Sequence, residues 1–562
     1  MSVTDTTSTA AAVDAGWIPP GPGQWTLDRS HYPGGTTPIS QWLIETGMQS
    51  GLGRVFAELG APVQAISARF VNGFMYTRTV PLIGAGRSAT RLPPGWVLRV
   101  VSRTHPTFRR RNRAAARMLA DPPGPAVVKR WTEQLKPTIE AKNRSFAAVR
   151  ESDLSDTDLA AHYQALIAHL FEMSDLHFWL HGYDLGPVAR YVAFAKQHGL
   201  ATSEAVEALG GASPSTTQPQ AQLSAIKAAI GDARPTCLRE AREQSSAAAV
   251  LIDSYLTERG STLVTGYDLD ALTLAELPET LFHAIMTATH ADGSGPAPLP
   301  EVEAATRLRA QLPEALRGNF DLRLADARLV MDMRDDNGPI VMERPTGLLR
   351  TALLEIGSRL LSSGLADRRE HALELDHHEV VELLLSRSGP SAGELSARAS
   401  TRLADSRRLP PTRLGPVEPT PPADLLPNAL AEFATSIQIA LAELGMLGVD
   451  TSTDPLSGTG IGSAPYVGRA RCAETPEEAV DAMKPGDVLV VRATSPAFNM
   501  VLTIAGAVVT ADGGPLSHAA VLARELRIAA VVGAHGALDI PDGAMIEVDP
   551  VAGKVRILSV GP

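Results

Sequence analysis

The residues best suited to chemistry form one contiguous stretch: Thr510-Ala-Asp-Gly513-Gly514-Pro-Leu516-Ser517-His518-Ala519-Ala520, then Arg524-Glu525 and an apolar run closing at Gly533. A β-branched run at 506–510 predicts a strand, and Gly513 and Gly514 predict a loop after it. Ser517 is a good N-cap, which places His518 in the first turn of a helix. That turn offers unpaired backbone N–H groups and the positive end of the helix dipole. An anion attached to His518 is stabilised there, as phosphates are at helix N-termini generally. The same dipole disfavours protonating the imidazole, so one nitrogen keeps the lone pair that a nucleophile needs. Ala519 and Ala520 are small, so a bulky surface can close over the ring. The arrangement suits a histidine that takes a phosphoryl group and presents it elsewhere. A lone histidine without these surroundings reads first as a capping or surface residue.

The elements that must position this stretch are short and alternate. VLVVR (488–492), GAVVT (506–510), HAAVLAREL (518–526), AAVVGA (529–534), AMIEVD (544–549) and KVRIL (554–558) predict a compact α/β domain. Ahead of it the texture changes. Apolar residues recur at three- and four-residue spacing in 155–182, 222–231, 236–258, 301–318, 347–364, 378–387 and 428–446, which predicts a helix-dominated region. The clearest helix opens at Ser155-Asp156 and is expected to end at Gly182. Val63 to Val80 reads as strand. The proline-dense 407–427 cannot be helix interior and is either a semi-extended linker or a strap across a surface. A second loop covers 449–463. The expected organisation is multidomain: a disordered leader (1–24), a mainly helical acceptor-binding domain (25–406), a Pro-rich linker with a connecting helix (407–457) and a C-terminal α/β domain (458–562).

The chain has 562 residues, and Lys+Arg 51 against Asp+Glu 62 gives a net charge of −11. That balance argues against nucleic acid and against an anionic membrane as partners. Two cysteines, Cys237 and Cys472, make neither a disulfide framework nor a Cys-rich metal site, which fits a reducing compartment. The start has no basic, apolar signal pattern, and no stretch of 18 apolar residues exists. The expectation is a soluble cytoplasmic protein.

The stretch around His518 closely resembles the mobile phosphohistidine ("swivelling") domain of the PEP-utilising enzyme superfamily. The family's pattern is met at Thr510, Gly513, Gly514, Ser517 to Ala520, Ala523 to Glu525 and Val531 to Gly533. It continues upstream in Gly486-Asp487 and Thr494-Ser495-Pro496, and downstream in Asp542-Gly543, Glu547 to Asp549 and Gly553. The resemblance implies that His518 is phosphorylated during turnover, with Thr510, Gly513, Gly514, Ser517, Arg524 and Glu525 supporting its loop. One departure is Leu516, where several members carry Thr. Superfamily members combine an ATP-grasp unit, the swivelling domain and an acceptor module. A PEP/pyruvate barrel needs about 250 residues and follows the swivelling domain, so none is expected here. The Gly-Gly pairs at 34–35 and 210–211 lack the strand–loop–helix setting of a phosphate loop and read as turns. ATP and Mg2+ are therefore expected on a separate ATP-grasp subunit.

The helical region resembles, more diffusely, the acceptor part of rifampin phosphotransferases and phenylphosphate-synthase-like proteins. The matching residues are Trp25 to Pro33 with Thr37-Pro38, and Met333 to Asp336 with Arg350, Gly357 and Glu379. The layout implied is that of the phosphohistidine subunit of phenylphosphate or alkylphenol-phosphate synthase. Transfer to a hydroxyl needs a base and positive charge around the moving phosphoryl group. His177 and His181 share a helix face at a spacing of four, as an acceptor-pocket base, weakly a metal pair, or packing residues. No third ligand is evident, so no metal is expected. Phe178 and Trp179 line a pocket or pack in the core. His31 lies in the resembling segment. Arg334 and Arg350 receive phosphate or make helix salt bridges. His377-His378 and the Arg109–Arg113 run read as solvated faces, the latter alternatively meeting an acidic partner. The whole reads as the phosphohistidine-carrying, acceptor-binding subunit of an ATP-dependent phosphotransferase. It would pass a phosphoryl group from His518 to a small-molecule hydroxyl, preferably a phenol, by swinging on hinges at 407–427 and 449–463. An antibiotic-type phosphotransferase and a non-enzymatic phosphocarrier remain the alternatives.

Overall fold

The computed structural model describes residues 16–28, 31–32, 34–288, 300–443, 454–494 and 498–560. In the first part of the chain, Val63–Val80 does form strand: a hairpin of β2 (Val63–Val71) and β3 (Phe74–Pro81). Asn72 and Gly73 both take positive φ at its tip, the geometry a two-residue hairpin turn requires. β1 (Trp25–Leu27) pairs antiparallel with β3, and β4 (Arg413–Leu414) pairs antiparallel with β1, giving the order β2-β3-β1-β4. The proline-rich segment is thus a strap. Tyr76 donates from its hydroxyl to the Pro411 carbonyl at 2.9 Å, and Leu414 is buried beside Trp25, Phe74 and Tyr76. Proline rings remove donors but leave Arg413 and Leu414 to pair at a sheet edge. The expected hinge at 407–427 is corrected accordingly. So is the latter part of the expected leader. Residues 1–15 lie outside the described residues, but Trp17 is 3% exposed in the same aromatic cluster, with the Arg408 guanidinium 4.7 Å over its ring.

The helical body is organised by one helix of 42 residues, Asp156–Gln197, capped by Ser155 Oγ accepting from the Asp158 N–H at 3.1 Å. The expected end at Gly182 is wrong for a packing reason. A Cβ there would stand 2.3 Å from Val55 Cγ2, and Gly47 and Gly51 of helix Pro38–Leu59 approach the long helix as closely. Gly182 is a crossing point, and the helix runs on past Pro187. A second composite helix carries Met331–Asp336, a π-helical turn Asn337–Glu343, then Arg344–Ser362. Such turns shift side chains off the regular face.

The C-terminal domain is a seven-stranded mixed sheet in the order β11-β10-β6-β7-β8-β9-β5. β6 (Tyr466–Ala473), β7 (Val488–Val491), β8 (Ala507–Thr510) and β9 (Ala529–Val532) run parallel, joined by helices Pro476–Ala482, Asn499–Ile504 and His518–Leu526. β5 (Thr459–Ile461), β10 (Met545–Asp549) and β11 (Lys554–Ser559) are antiparallel additions. The central parallel strands β7, β8 and β9 are buried at every residue, as strands covered on both faces are. The architecture is the expected one, a mostly helical body followed by an α/β domain. The second expected loop, 449–463, is described only from Asp454 onward.

Candidate functional site

The loop after β8 and the first turn of helix His518–Leu526 build the site. Thr510 Oγ1 donates to the Asp512 carbonyl at 2.7 Å. Gly513 takes φ 112°, open only to glycine, and a Cβ there would meet Ser517 at 3.0 Å. Gly514 is buried. Ser517 is the N-cap, its Oγ accepting from the Ala520 N–H. Arg524, one face along the helix, donates to the Pro515 carbonyl at 3.0 Å and ties the loop to the helix. Burial pushes the Arg524 pKa down to about 10, with the charges of Glu207 and Glu525 acting against it. His518 stands in the first turn. Thr494 Oγ1 lies 2.9 Å from its Nδ1 and orients the ring. Thr494 entered the sequence reading only as part of a matching string, and its neighbours Ser495 and Pro496 lie outside the described residues.

His518 faces the helical body. Burial pushes its pKa down to about 3, and the Arg334 charge adds to the effect. The imidazole is therefore neutral at physiological pH. The Arg334 side chain makes no ion pair or hydrogen bond with the described residues. It lines a narrow crevice with Leu209, Met331, Leu516, Arg524 and Glu525, with room for about one water molecule. Leu516, two residues before His518, is 2% exposed and sits in the core of the helical body. Glu525 Oε1 accepts from the Gly211 N–H at 3.2 Å, a second link between the domains. Burial raises the Glu525 carboxyl. The Gly210-Gly211 pair is a turn, as expected, and this turn is where the phosphohistidine domain rests.

The acceptor candidates separate. His177 Nδ1 lies 3.1 Å from Asn337 Oδ1, His181 Nδ1 lies 3.1 Å from Asp184 Oδ2, and the two Nε2 atoms are 3.2 Å apart. Burial, with the charge of His181 beside it, holds the His177 pKa well below the ordinary value. His31 binds Asp28 through Nδ1 at 3.1 Å, is within electrostatic reach of His177, and stands 5.6 Å from the Tyr267 ring. Asn337 follows Arg334 by one helical turn, and Asp335 feels the charge of Asp184. Asn337 and Asp184 carried no signal in the sequence.

Arg350 is corrected. Its guanidinium grips Glu276 at 3.1 and 3.0 Å and donates to the Leu269 carbonyl at 2.8 Å, 5% exposed, so it holds the fold and not a phosphate. Phe178 and Trp179 are core residues, and the Trp179 Nε1 donates to Glu58. His377 stacks on Trp42 at 4.0 Å and Arg111 is buried, so neither region is merely a solvated face. Among the described residues, no three His, Cys, Asp or Glu side chains are gathered to hold a metal, and no helix is long and apolar enough to cross a membrane.

His518 is thus a neutral histidine at a helix N-terminus, on an α/β domain seated against a separate body. Residues 483–553 match the family described as PEP-utilising enzyme, mobile domain. An uncharacterised protein of Mycobacterium tuberculosis is 31% identical over 299 residues, 52% of this chain and 29% of that protein. A rifampicin phosphotransferase of Streptomyces is 29% identical over 321 residues, 55% of this chain and 34% of that enzyme. Chondramide synthase of Chondromyces crocatus is 26% identical over 577 aligned positions, 95% of this chain and 14% of that protein. The chain thus spans about a third or less of the length of these relatives. Of these three relatives, the Streptomyces protein is the one named a phosphotransferase.

Proposed function

We propose that this chain is the phosphohistidine-carrying, acceptor-binding part of an ATP-dependent phosphotransferase acting in the cytoplasm. A separate ATP-grasp subunit, holding ATP and Mg2+, splits ATP to AMP and phosphate and places the β-phosphoryl group on His518. In the tautomer whose Nδ1–H donates to Thr494 Oγ1, the lone pair lies on Nε2, and the N–P bond forms there. The domain then docks on the helical body. An acceptor hydroxyl attacks phosphorus, the N–P bond breaks, its electron pair returns to Nε2, and the hydroxyl proton passes to a base. The acceptor is a small hydroxyl compound, preferably a phenol.

The observation that carries this reading is Arg334. A guanidinium from the body, without an ion pair or hydrogen bond among the described residues, stands within electrostatic reach of a neutral histidine on the C-terminal domain, where a transferring phosphoryl group needs positive charge. Similarity to a rifampicin phosphotransferase over 55% of the chain favours a second reading, an antibiotic-type acceptor. The test is incubation with β-labelled ATP and an extract of the cells that make the protein, followed by a chase with phenols or with aromatic antibiotics. Acid-labile label that leaves the protein for a small hydroxyl compound supports the reading, and the compound labelled separates the two acceptors. Label that leaves only for another protein contradicts both.

A further inference from the structure

The net charge of −11, which taken whole argues against an anionic membrane, is unevenly divided along the chain. From Leu59 to Ala120 there are eleven arginines, no lysine and no Asp or Glu, so all 62 acidic side chains lie outside this stretch. Part of it folds as two consecutive helices, Gly95–Thr104 and Pro106–Ala120. They join at His105, whose Nδ1 caps the second by accepting from the Thr107 N–H at 3.3 Å. The first helix leaves Trp96, Arg99, Val100 and Arg103 exposed, at the i, i+3, i+4, i+7 spacing of a single face. Trp96 is 70% exposed and Val100 51%. The second leaves Arg109, Arg110, Arg113 and Arg117 exposed and buries Ala114, Ala115 and Met118. Arg99 pairs with the exposed Asp424 at 3.6 Å. The other exposed arginines of the two helices make no ion pair with a described residue. Even the buried Arg111 has an Nη1 without a partner, and the like charge of Arg110 adds to burial in lowering its pKa.

Acidic residues farther than about 8 Å are largely screened at physiological ionic strength, so the local sign of charge decides what this face attracts. Its composition selects among anionic partners. A protein–protein interface gathers its apolar residues into a patch within a polar rim. Here Trp96 and Val100 alternate with Arg99 and Arg103 on one face. A lipid headgroup layer accepts that mixture: tryptophan sits at its level, aliphatic side chains just below, and arginine forks onto its phosphates. We propose that helices Gly95–Thr104 and Pro106–Ala120 form a docking face for an anionic lipid surface, with Trp96 and Val100 entering the headgroup layer and the exposed arginines pairing with lipid phosphates. The contact is peripheral, since no helix among the described residues is long and apolar enough to cross a membrane. It goes beyond the phosphotransfer reading and does not depend on it.

The test is sedimentation of the full chain with vesicles of phosphatidylglycerol and phosphatidylcholine in equal parts. Binding that weakens with added salt is expected, and none to phosphatidylcholine alone. Tryptophan emission should shift to the blue and be quenched by brominated lipid, because Trp96 is open where Trp17, Trp25, Trp131 and Trp179 are buried. Trp96→Ser should remove that shift and weaken binding by about tenfold. The triple variant Arg109→Gln, Arg110→Gln, Arg113→Gln should weaken it by about 100-fold and, changing only exposed side chains, leave the melting temperature unchanged. His518→Ala should bind as the wild type does, so failure of phosphotransfer and failure of this face are separable. Absence of binding, or binding that neither the tryptophan nor the arginine changes weaken, overturns the proposal. Tighter capture by polyglutamate or by a single-stranded oligonucleotide also overturns it, since the face would then serve a protein or a nucleic acid. Should the triple variant misfold, unchanged binding in Trp96→Ser is decisive against it.

Discussion

Arg334 and His518 belong to different domains, and the guanidinium stands close enough to the imidazole to help keep it neutral. Among the described residues no carboxylate makes an ion pair with that arginine, although the charge of Asp335 beside it acts on it. A phosphoryl group on His518 would bring it the negative charge it lacks. Replacing Arg334 by Ala should therefore spare the fold and spare the labelling of His518, yet slow discharge of the label to an acceptor by about 10²–10³-fold. Single-turnover chase of the labelled protein reads this, and Arg334→Lys should recover part of the loss. An equal loss in labelling would place Arg334 in a different role.

Docking should depend on pH. In the docked form the His518 pKa is pushed down to about 3, whereas an undocked, solvated ring should titrate near 6.5. The undocked form then binds the proton more readily. The docked form keeps its full advantage above pH 6.5 and loses it as pH falls toward 3. Between pH 7.5 and 5.5 the docking constant should drop by about tenfold. Fluorescence energy transfer between a label on each domain measures it. In His518→Gln the pH response over that window should vanish.

Leu516 gives the docked form its apolar contact. It is buried among residues of the helical body, two residues before His518. Leu516→Ala should cost docking about 2–3 kcal/mol, a loss of 30-fold or more, without lowering the melting temperature of the carrier domain. X-ray scattering should report a larger radius of gyration. An unchanged profile would mean that the domain contact does not depend on this plug.

The carrier domain was legible because its chemistry is local. Thr510 to Gly533 holds the strand, the glycine loop, the cap and the histidine proposed as nucleophile in one run, and each is recognised by short-range rules. Where the reading failed, the cause was long-range. Gly182 carries the same signal as a helix end, and only the approach of Val55 shows that it is a crossing. Trp17 and Leu414 lie at opposite ends of the helical region and become core only by pairing through β1 and β4. Arg334 and Arg350 look alike in sequence, and the position of Glu276 alone makes one structural and leaves the other uncommitted. The partners of His177 and His181, Asn337 and Asp184, are amide and carboxylate side chains of a kind found throughout the chain. Nothing local marks them.

Glu343, in the π-helical turn, is 3% exposed, and burial pushes its carboxyl up to about 8. Its Oε1 has no partner, and Gly338 leaves it room, a Cβ there standing 3.0 Å away. The folded chain holds a proton that the unfolded chain releases above about pH 4.5. Stability should therefore fall as pH rises from about 4.5 to 8 and level off above that. Glu343→Gln should raise stability at pH 8 by on the order of 2 kcal/mol and little at pH 5. Denaturant unfolding at the two pH values checks both the size and the sign.

The most direct measurement is the site of labelling itself. Wild-type chain and His518→Ala, each incubated with β-labelled ATP in the extract described above, are compared for acid-labile, base-stable phosphate, and the modified nitrogen is assigned by phosphorus NMR. The account predicts one phosphohistidine on Nε2 of His518 and none in the variant. An unlabelled wild type, or label that persists in His518→Ala, contradicts it.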